Sequence, residues 1–198
     1  MGRIVLASGS PTRVRLLENA GLRFTATAAP VDERAVEKPL RDRGATSVEV
    51  AAALAAAKAL AVSKSEKDAL VIGADQVLDL DGRQWSKAAS RYDAAAQLRA
   101  LSGKTHSLVS AVAAARGGEV VWRHTAEARL TMRSLTDGDI AAYLARVGDA
   151  ALASVGAYQI EGPGIRLFER IEGDYFTILG LPLLPLLAFL RQLGEIDP

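Results

Sequence analysis

Along the chain, short apolar runs alternate with segments in which apolar residues recur every three to four positions, and the two periods predict strands and helices. Residues 3–7 form a brief apolar run, read as a buried strand. Ser10 then offers an N-cap, Pro11 suits the first helical position, and Gly21 stops the helix at Ala20. Val14 and Leu17, with Leu16 and Ala20, supply the apolar side of that helix. A second strand is predicted over residues 24–28. Residues 30–45, "PVDERAVEKPLRDRGA", are polar and irregular and read as a long connection, a kind of segment that tends to carry function or to move.

Thr46 with Glu49 forms a capping box, opening an alanine-rich helix that runs to about Val62. An apolar strand starts at Ala69 and leads to an Asp81-Gly82 hairpin turn, with a return strand near Trp85. Residues 92–101 are helical and stop at Ser102-Gly103. Two β-branched runs, at about 105–115 and 119–132, flank Gly117-Gly118 and read as an antiparallel pair. "SLTDGDIAAYLARV", residues 134–147, is a capped helix whose Ile140, Tyr143, Leu144 and Val147 form one stripe. Residues 162–183 read as a strand, a turn and a loop, and residues 183–193 as a final helix with Pro182 and Pro185 at its start. This mixture predicts an α/β or α+β fold in which helices cover a sheet.

Composition narrows the function classes. The 198 residues are 49% hydrophobic and 24% charged, as in an ordinary globular protein, and the net charge is only +1. That balance excludes the broad basic surface that drives duplex binding, so stable nucleic-acid binding is not expected and anions must be met by a few placed side chains. The absence of cysteine excludes disulfides, thiolate catalysis and sulfur-bound zinc, and it fits a cytoplasmic protein. The apolar run near the N-terminus is too short for a signal peptide, and "ILGLPLLPLLAFL", residues 178–190, is too short for a membrane span and contains two prolines. The two histidines, His106 and His124, exclude a histidine-rich metal site and read as structural or surface residues.

Few segments carry candidate chemistry. In "LSGKTH", residues 101–106, Gly-Lys-Thr suggests a phosphate loop, but position 98 is leucine where the Walker pattern needs glycine. A strand, not a helix, is predicted to follow, so Gly103 reads as a helix stop. Asp79 and Asp81 beside Gly82 resemble part of a calcium loop without its downstream glutamate, and read as a turn. Asp75 and Gln76 interrupt the apolar strand "ALVIGADQVL", and a carboxylate there needs a cation, a metal or several hydrogen bonds to stay charged. Lys58 follows Val50 and Leu54 at i, i+4 spacing; taken alone it reads as a snorkelling lysine. Lys87 reads as a surface lysine and Glu33 as an exposed loop glutamate. Ser8, Ser10 and Arg13 fit either a capped helix or a phosphate site. "VGAYQIEGPGI", residues 155–165, suits a turn and a close ligand approach equally.

Together, "LASGSPTRVRLL", "VDE", "AAAKA", "GADQVL", "LSGKTH", "GAYQIEGPG" and "GDYFTILGLPL", in this order, resemble the Maf family of nucleoside triphosphate pyrophosphatases. The resemblance covers nearly the whole chain, taken as one domain over residues 1–198. It implies an α/β fold with a mixed twisted sheet flanked by helices and two lobes with a nucleotide cleft between them, in a family whose members often form homodimers. It also implies hydrolysis of a nucleotide between its α and β phosphates, with a divalent metal, Mg or Mn. Carried onto this sequence, it makes Asp75 the catalytic carboxylate, acting as base or as metal ligand. Ser8, Ser10, Arg13, Lys58 and Lys87 become phosphate contacts, and Glu33 joins Asp75 at the metal. Thr12, Gln76 and Glu161 are implied in base selection; Gln76 with Glu161 resembles the branch that handles 7-methylguanosine triphosphate, since a carboxylate at 161 can accept both N–H groups of a guanine edge. The chain departs from the family pattern at Ala88, where a proline is usual, and at Thr12, where an arginine or aromatic is common. Two other readings are a non-catalytic nucleotide-binding regulator of cell division, and a partner protein presenting Leu183, Leu186 and Leu190 as an exposed apolar surface.

Overall fold

Ile4 and Leu6 of the first strand turn to one face and Val5 and Ala7 to the other, and each set joins a separate apolar cluster. The computed structural model describes residues 2–197. Strand β1 (Ile4–Ala7) leads into α1 (Pro11–Asn19) and β2 (Phe24–Thr27), followed by α2 (Glu33–Asp42) and α3 (Ser47–Ser63). The hairpin of β3 (Leu70–Leu80) and β4 (Arg83–Trp85) precedes α4 (Arg91–Leu101), β5 (Thr105–Arg116) and β6 (Glu119–Met132). After α5 (Asp137–Val147) come three short 3-10 turns, then β7 (Phe168–Glu172), α6 (Tyr175–Ile178) and α7 (Leu183–Gln192). The strands hydrogen-bond in the order β2-β1-β3-β5-β6-β7, with β4 paired to β3. β1 runs parallel to both β2 and β3, whereas β3–β4 and β6–β7 are antiparallel, so the sheet is mixed, as expected.

The chain divides into two compact units, each built from separated segments. The first comprises Met1–Gln76, Val109–Glu127 and Asp174–Pro198, and the second Val77–Leu108 and Ala128–Gly173. In the first, Leu6, Leu70 and Ile72 of the parallel strands pack with Leu16 and Leu17 of α1 and with Leu186 and Leu190 of α7. In the second, Leu98, Leu101, Leu130, Met132 and Ile140 are fully buried.

Two segments differ from the sequence expectation. Residues 33–42, read as an irregular polar connection, are the helix α2. Asp32 caps it by accepting from the Ala35 amide, and ion pairs join Glu37 to Arg41 and Lys38 to Asp42 at i, i+4 spacing. Pro39 is exposed inside this helix, where its missing N–H removes one bond but the cap and ion pairs hold the rest. Glu33 is therefore a first-turn helical residue and not part of a loop. The second difference concerns the apolar segment near the C-terminus. Leu183, Leu186 and Leu190 are buried in the core of the first unit, so they present no partner surface. Among the described residues no helix is long and apolar enough to cross a membrane.

Gly73 sets the distance between β3 and α3. A β-carbon there would run into the Ala55 carbonyl oxygen and the Ala59 amide of α3. The small residues of α3, with Gly73 opposite, let helix and strand backbones approach closely. Gly73→Ala forces the helix outward, with an expected loss of about 1–3 kcal/mol in unfolding free energy. Unchanged stability in denaturant titration would show that α3 shifts freely.

In the second unit, His106 of β5 is buried against Tyr158 and Phe168, with its Nε2 2.6 Å from the Tyr158 hydroxyl. Its Nδ1 has no partner, and burial pulls the imidazole down to about 4, so it is neutral at physiological pH. Of the structural and surface roles that the sequence left open for His106, the structural one holds. Because its pKa is lowered by folding, the unfolded chain takes up the proton first. The stability it contributes is complete above pH 6.5 and is lost as pH falls toward 4, by about 3 kcal/mol. The stability difference between the parent and His106→Phe is expected to shrink by about that amount across this window. A pH-independent difference would remove the titration from the account.

Candidate active site

The strand β3 places consecutive side chains on opposite faces, so Asp75 follows Val71 and Gly73 toward α3. There the Lys58 ammonium meets Asp75 Oδ1 at 2.7 Å and Glu33 Oε1 of α2 at 2.7 Å. Lys58 and Asp75 side chains are each only 11% exposed, whereas Glu33 is 53% exposed. The pair is therefore desolvated and Glu33 closes it on its open side. Lys58 is not the snorkelling residue that its helical spacing suggested. The close approach of α3 at Gly73 leaves its ammonium buried at the carboxylate, where leaving the pair would strand an unpaired charge. Two of its three protons point at carboxylates, leaving one for a further acceptor.

Burial raises the Asp75 carboxyl above its ordinary value, while the Lys58 ammonium and the Arg13 guanidinium draw it back down. Arg13 is itself lowered by burial, opposed by Asp75 and Glu33, and remains charged. A third carboxylate, Glu37, sits one helical turn beyond Glu33 and pairs with Arg41 at 2.9 Å. Burial raises it, Arg41 opposes this, and the Asp75 and Glu33 charges raise it further. The sequence carries its signal in the i, i+4 spacing of Glu33 and Glu37, hidden when the segment is read as a loop.

The helix start of α1 supplies the other side of the first-unit site. Ser8 is buried, and its hydroxyl oxygen accepts from the Ser10 amide at 3.2 Å and from Arg13 Nη1 at 3.4 Å. Ser10 caps the helix by accepting from the Arg13 amide at 3.5 Å. Pro11 has no N–H, and the Thr12 amide lies too early in the helix to find an intrahelical acceptor. Arg13 Nε donates to the Gly180 carbonyl at 2.7 Å, which fixes the plane of its guanidinium. Capping and anion recognition are thus not alternatives for these residues: the cap bonds orient the same groups that could meet an anion.

Gln76, next to Asp75, leaves the strand on the opposite face. Its amide nitrogen lies 3.0 Å from the Ser110 hydroxyl, 3.1 Å from the Thr177 carbonyl and 3.0 Å from the Ile178 carbonyl. Ser8, Ser10, Thr12, Arg13, Glu33, Lys58, Asp75 and Gln76 all belong to the first unit. Lys87 and Glu161 are exposed residues of the second unit, and Ala88, in place of the usual proline, is buried there. Thr177 and Gly180, which hold Gln76 and Arg13, escaped the sequence reading because main-chain acceptors leave no residue-type signal. Gly103 has φ +68°, the left-handed stop expected of it, so no phosphate loop forms at residues 101–106.

A mixed α/β sheet carrying a buried lysine–carboxylate centre beside a capped, arginine-bearing helix start defines the class. Within it the family is plain: residues 3–193 match the Maf-like protein family, and the chain belongs to that family. Relatives align over almost their full length. The chain is 58% identical over 194 residues to a protein of Rhizobium meliloti named 7-methyl-GTP pyrophosphatase, covering 98% of each. It is 59% identical over 195 residues to a protein of the same name from Rhizobium johnstonii, again covering 98% of each. It is 55% identical over 190 residues to a nucleoside triphosphate pyrophosphatase of Nitrobacter winogradskyi, covering 96% of this chain and 93% of the relative.

Lys58→Met removes the common partner of two carboxylates. The folded Asp75 carboxyl then rises further, so the variant is expected to lose about 3–5 kcal/mol at neutral pH. Because a raised carboxyl pKa stabilises the fold at lower pH, part of this loss returns on acidification as Asp75 takes up its proton. Denaturant unfolding at pH 7.5 and pH 5 reads the effect, and an equal loss at both would contradict it.

Proposed function

We propose that this protein is a nucleoside triphosphate pyrophosphatase that cleaves between the α and β phosphates, releasing a monophosphate and pyrophosphate. The observation that carries the reading is the buried Asp75 carboxylate held by Lys58 beside Arg13. Such a carboxylate, raised by burial, is suited to accept a proton from an attacking water. Arg13, the Ser8 and Ser10 hydroxyls and the third Lys58 proton then meet phosphate oxygens, and hydrolysis of this kind relies on position and charge compensation. Lys87 takes the charge-compensating role that the family resemblance gives it. Thr12 and Glu161 take the base-recognition role.

A divalent metal, Mg or Mn, belongs to the same proposal, and the donor set fits one. Arg13 and Lys58 only balance Asp75 and Glu33, so a polyanionic substrate calls for added positive charge. Among the described residues no group of three or more acidic or histidine side chains forms a closed cage. Two carboxylates plus substrate oxygens are the habit of magnesium. Glu33 would hold the ion, joined by Asp75 where that carboxylate serves as ligand in place of base, and the ion would supply neutralisation of phosphate charge. The substrate we favour is a methylated guanosine triphosphate, supported by the names of the relatives and by a carboxylate at position 161. A homodimer is the accompanying expectation from the family resemblance, and a cytoplasmic location is the one that the cysteine-free composition fits.

The purified protein with magnesium or manganese is expected to release pyrophosphate from 7-methyl-GTP. Asp75→Asn, which keeps an oxygen for Lys58, is expected to reduce turnover by at least about 100-fold with the fold intact. Orthophosphate as the first product rejects the reaction class, and nucleotide binding without turnover favours a non-catalytic regulator.

A further inference from the structure

The segment from Asp174 to Gly180 is unusually well tied for a surface-to-core connection. Asp174 caps α6, accepting from the Thr177 amide at 2.8 Å and the Thr177 hydroxyl at 3.0 Å. The Thr177 carbonyl then accepts from the Gly180 amide at 3.1 Å, from the Ser110 hydroxyl at 2.8 Å and from Gln76 Nε2 at 3.1 Å. Gln76 shares its two amide protons among this carbonyl, the Ile178 carbonyl and Ser110. The turn ends at Gly180, with φ +92°, whose carbonyl receives Arg13 Nε. A β-carbon at Gly180 would lie 3.3 Å from Arg13 Nη2 and 3.5 Å from its Nε. The turn is therefore a bridge: its Thr177 and Ile178 carbonyls are bonded to the residue beside Asp75, and its last carbonyl holds the guanidinium.

Resting on the proposed reaction, we infer that residues 174–180 are the positioning element of Arg13, and that Gln76 and Gly180 are positioning residues for phosphate recognition. Gln76 acts through the turn and not on the base. Its face of β3 is the one opposite Asp75, and its donor protons are taken up by internal acceptors. With Nε bonded to the Gly180 carbonyl, Arg13 brings Nη1 to 3.4 Å from the Ser8 hydroxyl, two residues before the Ser10 cap. A lysine could keep the charge at position 13 but has no Nε–H fork for that carbonyl to orient. The bridge therefore matters only when an arginine is present.

The test uses inorganic pyrophosphate binding by calorimetry, and kcat and KM for 7-methyl-GTP and GTP. Gly180→Ala and Gln76→Leu are each expected to weaken pyrophosphate binding roughly tenfold, the size of one oriented charge-assisted hydrogen bond. KM is expected to rise by a similar factor for both nucleotides, with their ratio of kcat/KM unchanged. In an Arg13→Lys background, already weakened, Gly180→Ala is expected to have no further effect, whereas a merely structural lesion would still add its own loss. If Gln76→Leu does not fold, the Gly180 and Arg13 pair carries the test alone. A changed base preference with unaltered pyrophosphate binding, or full additivity with Arg13→Lys, overturns the inference. Absence of turnover in every variant, parent included, with the binding pattern intact, instead rejects the proposed reaction and leaves the positioning element standing.

Discussion

One ammonium group, that of Lys58, bonds carboxylates from two different elements in a place largely closed to water. Removing an ammonium and a carboxylate from water costs several kcal/mol per ion, and only close pairing with further hydrogen bonds offsets it. The surrounding architecture serves that condition. The alanine-rich face of α3 can approach β3 because Gly73 has no side chain, and this brings Lys58 within 2.7 Å of Asp75. Glu33 reaches the same ammonium only because α2 is a capped helix laid against α3.

The period of the strand divides the remaining work. Asp75 and Gln76 are neighbours in sequence, yet they leave β3 on opposite faces. One joins the charged centre and the other braces the turn that holds Arg13. A sequence motif such as "GADQVL" thus packs two tasks into two adjacent positions, linked through the backbone and not through contact. Arg13 closes the circuit electrostatically, since it lowers Asp75 while Asp75 and Glu33 favour its charged form.

The four charges of Arg13, Lys58, Asp75 and Glu33 cancel within the first unit. Such a cluster carries no net charge of its own, so what it offers a neighbouring group is oriented donors. This agrees with the small net charge of the whole chain. Glu37 adds a third carboxylate near the pair, tied to Arg41, so it enters the field of the site without entering its hydrogen bonds.

Much of this was legible in the residues. The caps at Ser10 and Thr46, the capped helix within residues 134–147, the Asp81-Gly82 hairpin and the buried strand around Asp75 all follow from local chemistry, because caps, turns and periodic burial depend on neighbours in sequence. The helix α2 was hidden by Pro39 and by polarity, since its support comes from an Asp32 cap, i, i+4 ion pairs and packing on α3. By itself the sequence determined which residues could carry charge into the core, and Asp75 was conspicuous there. Only the tertiary structure decided that Lys58 is its buried partner, that Gln76 faces away from it, and that a glycine carbonyl 167 positions from Arg13 aims the guanidinium. The reason is physical: whether a lysine is solvated or paired, and which carbonyl receives an N–H, depends on groups brought close by folding and distant along the chain.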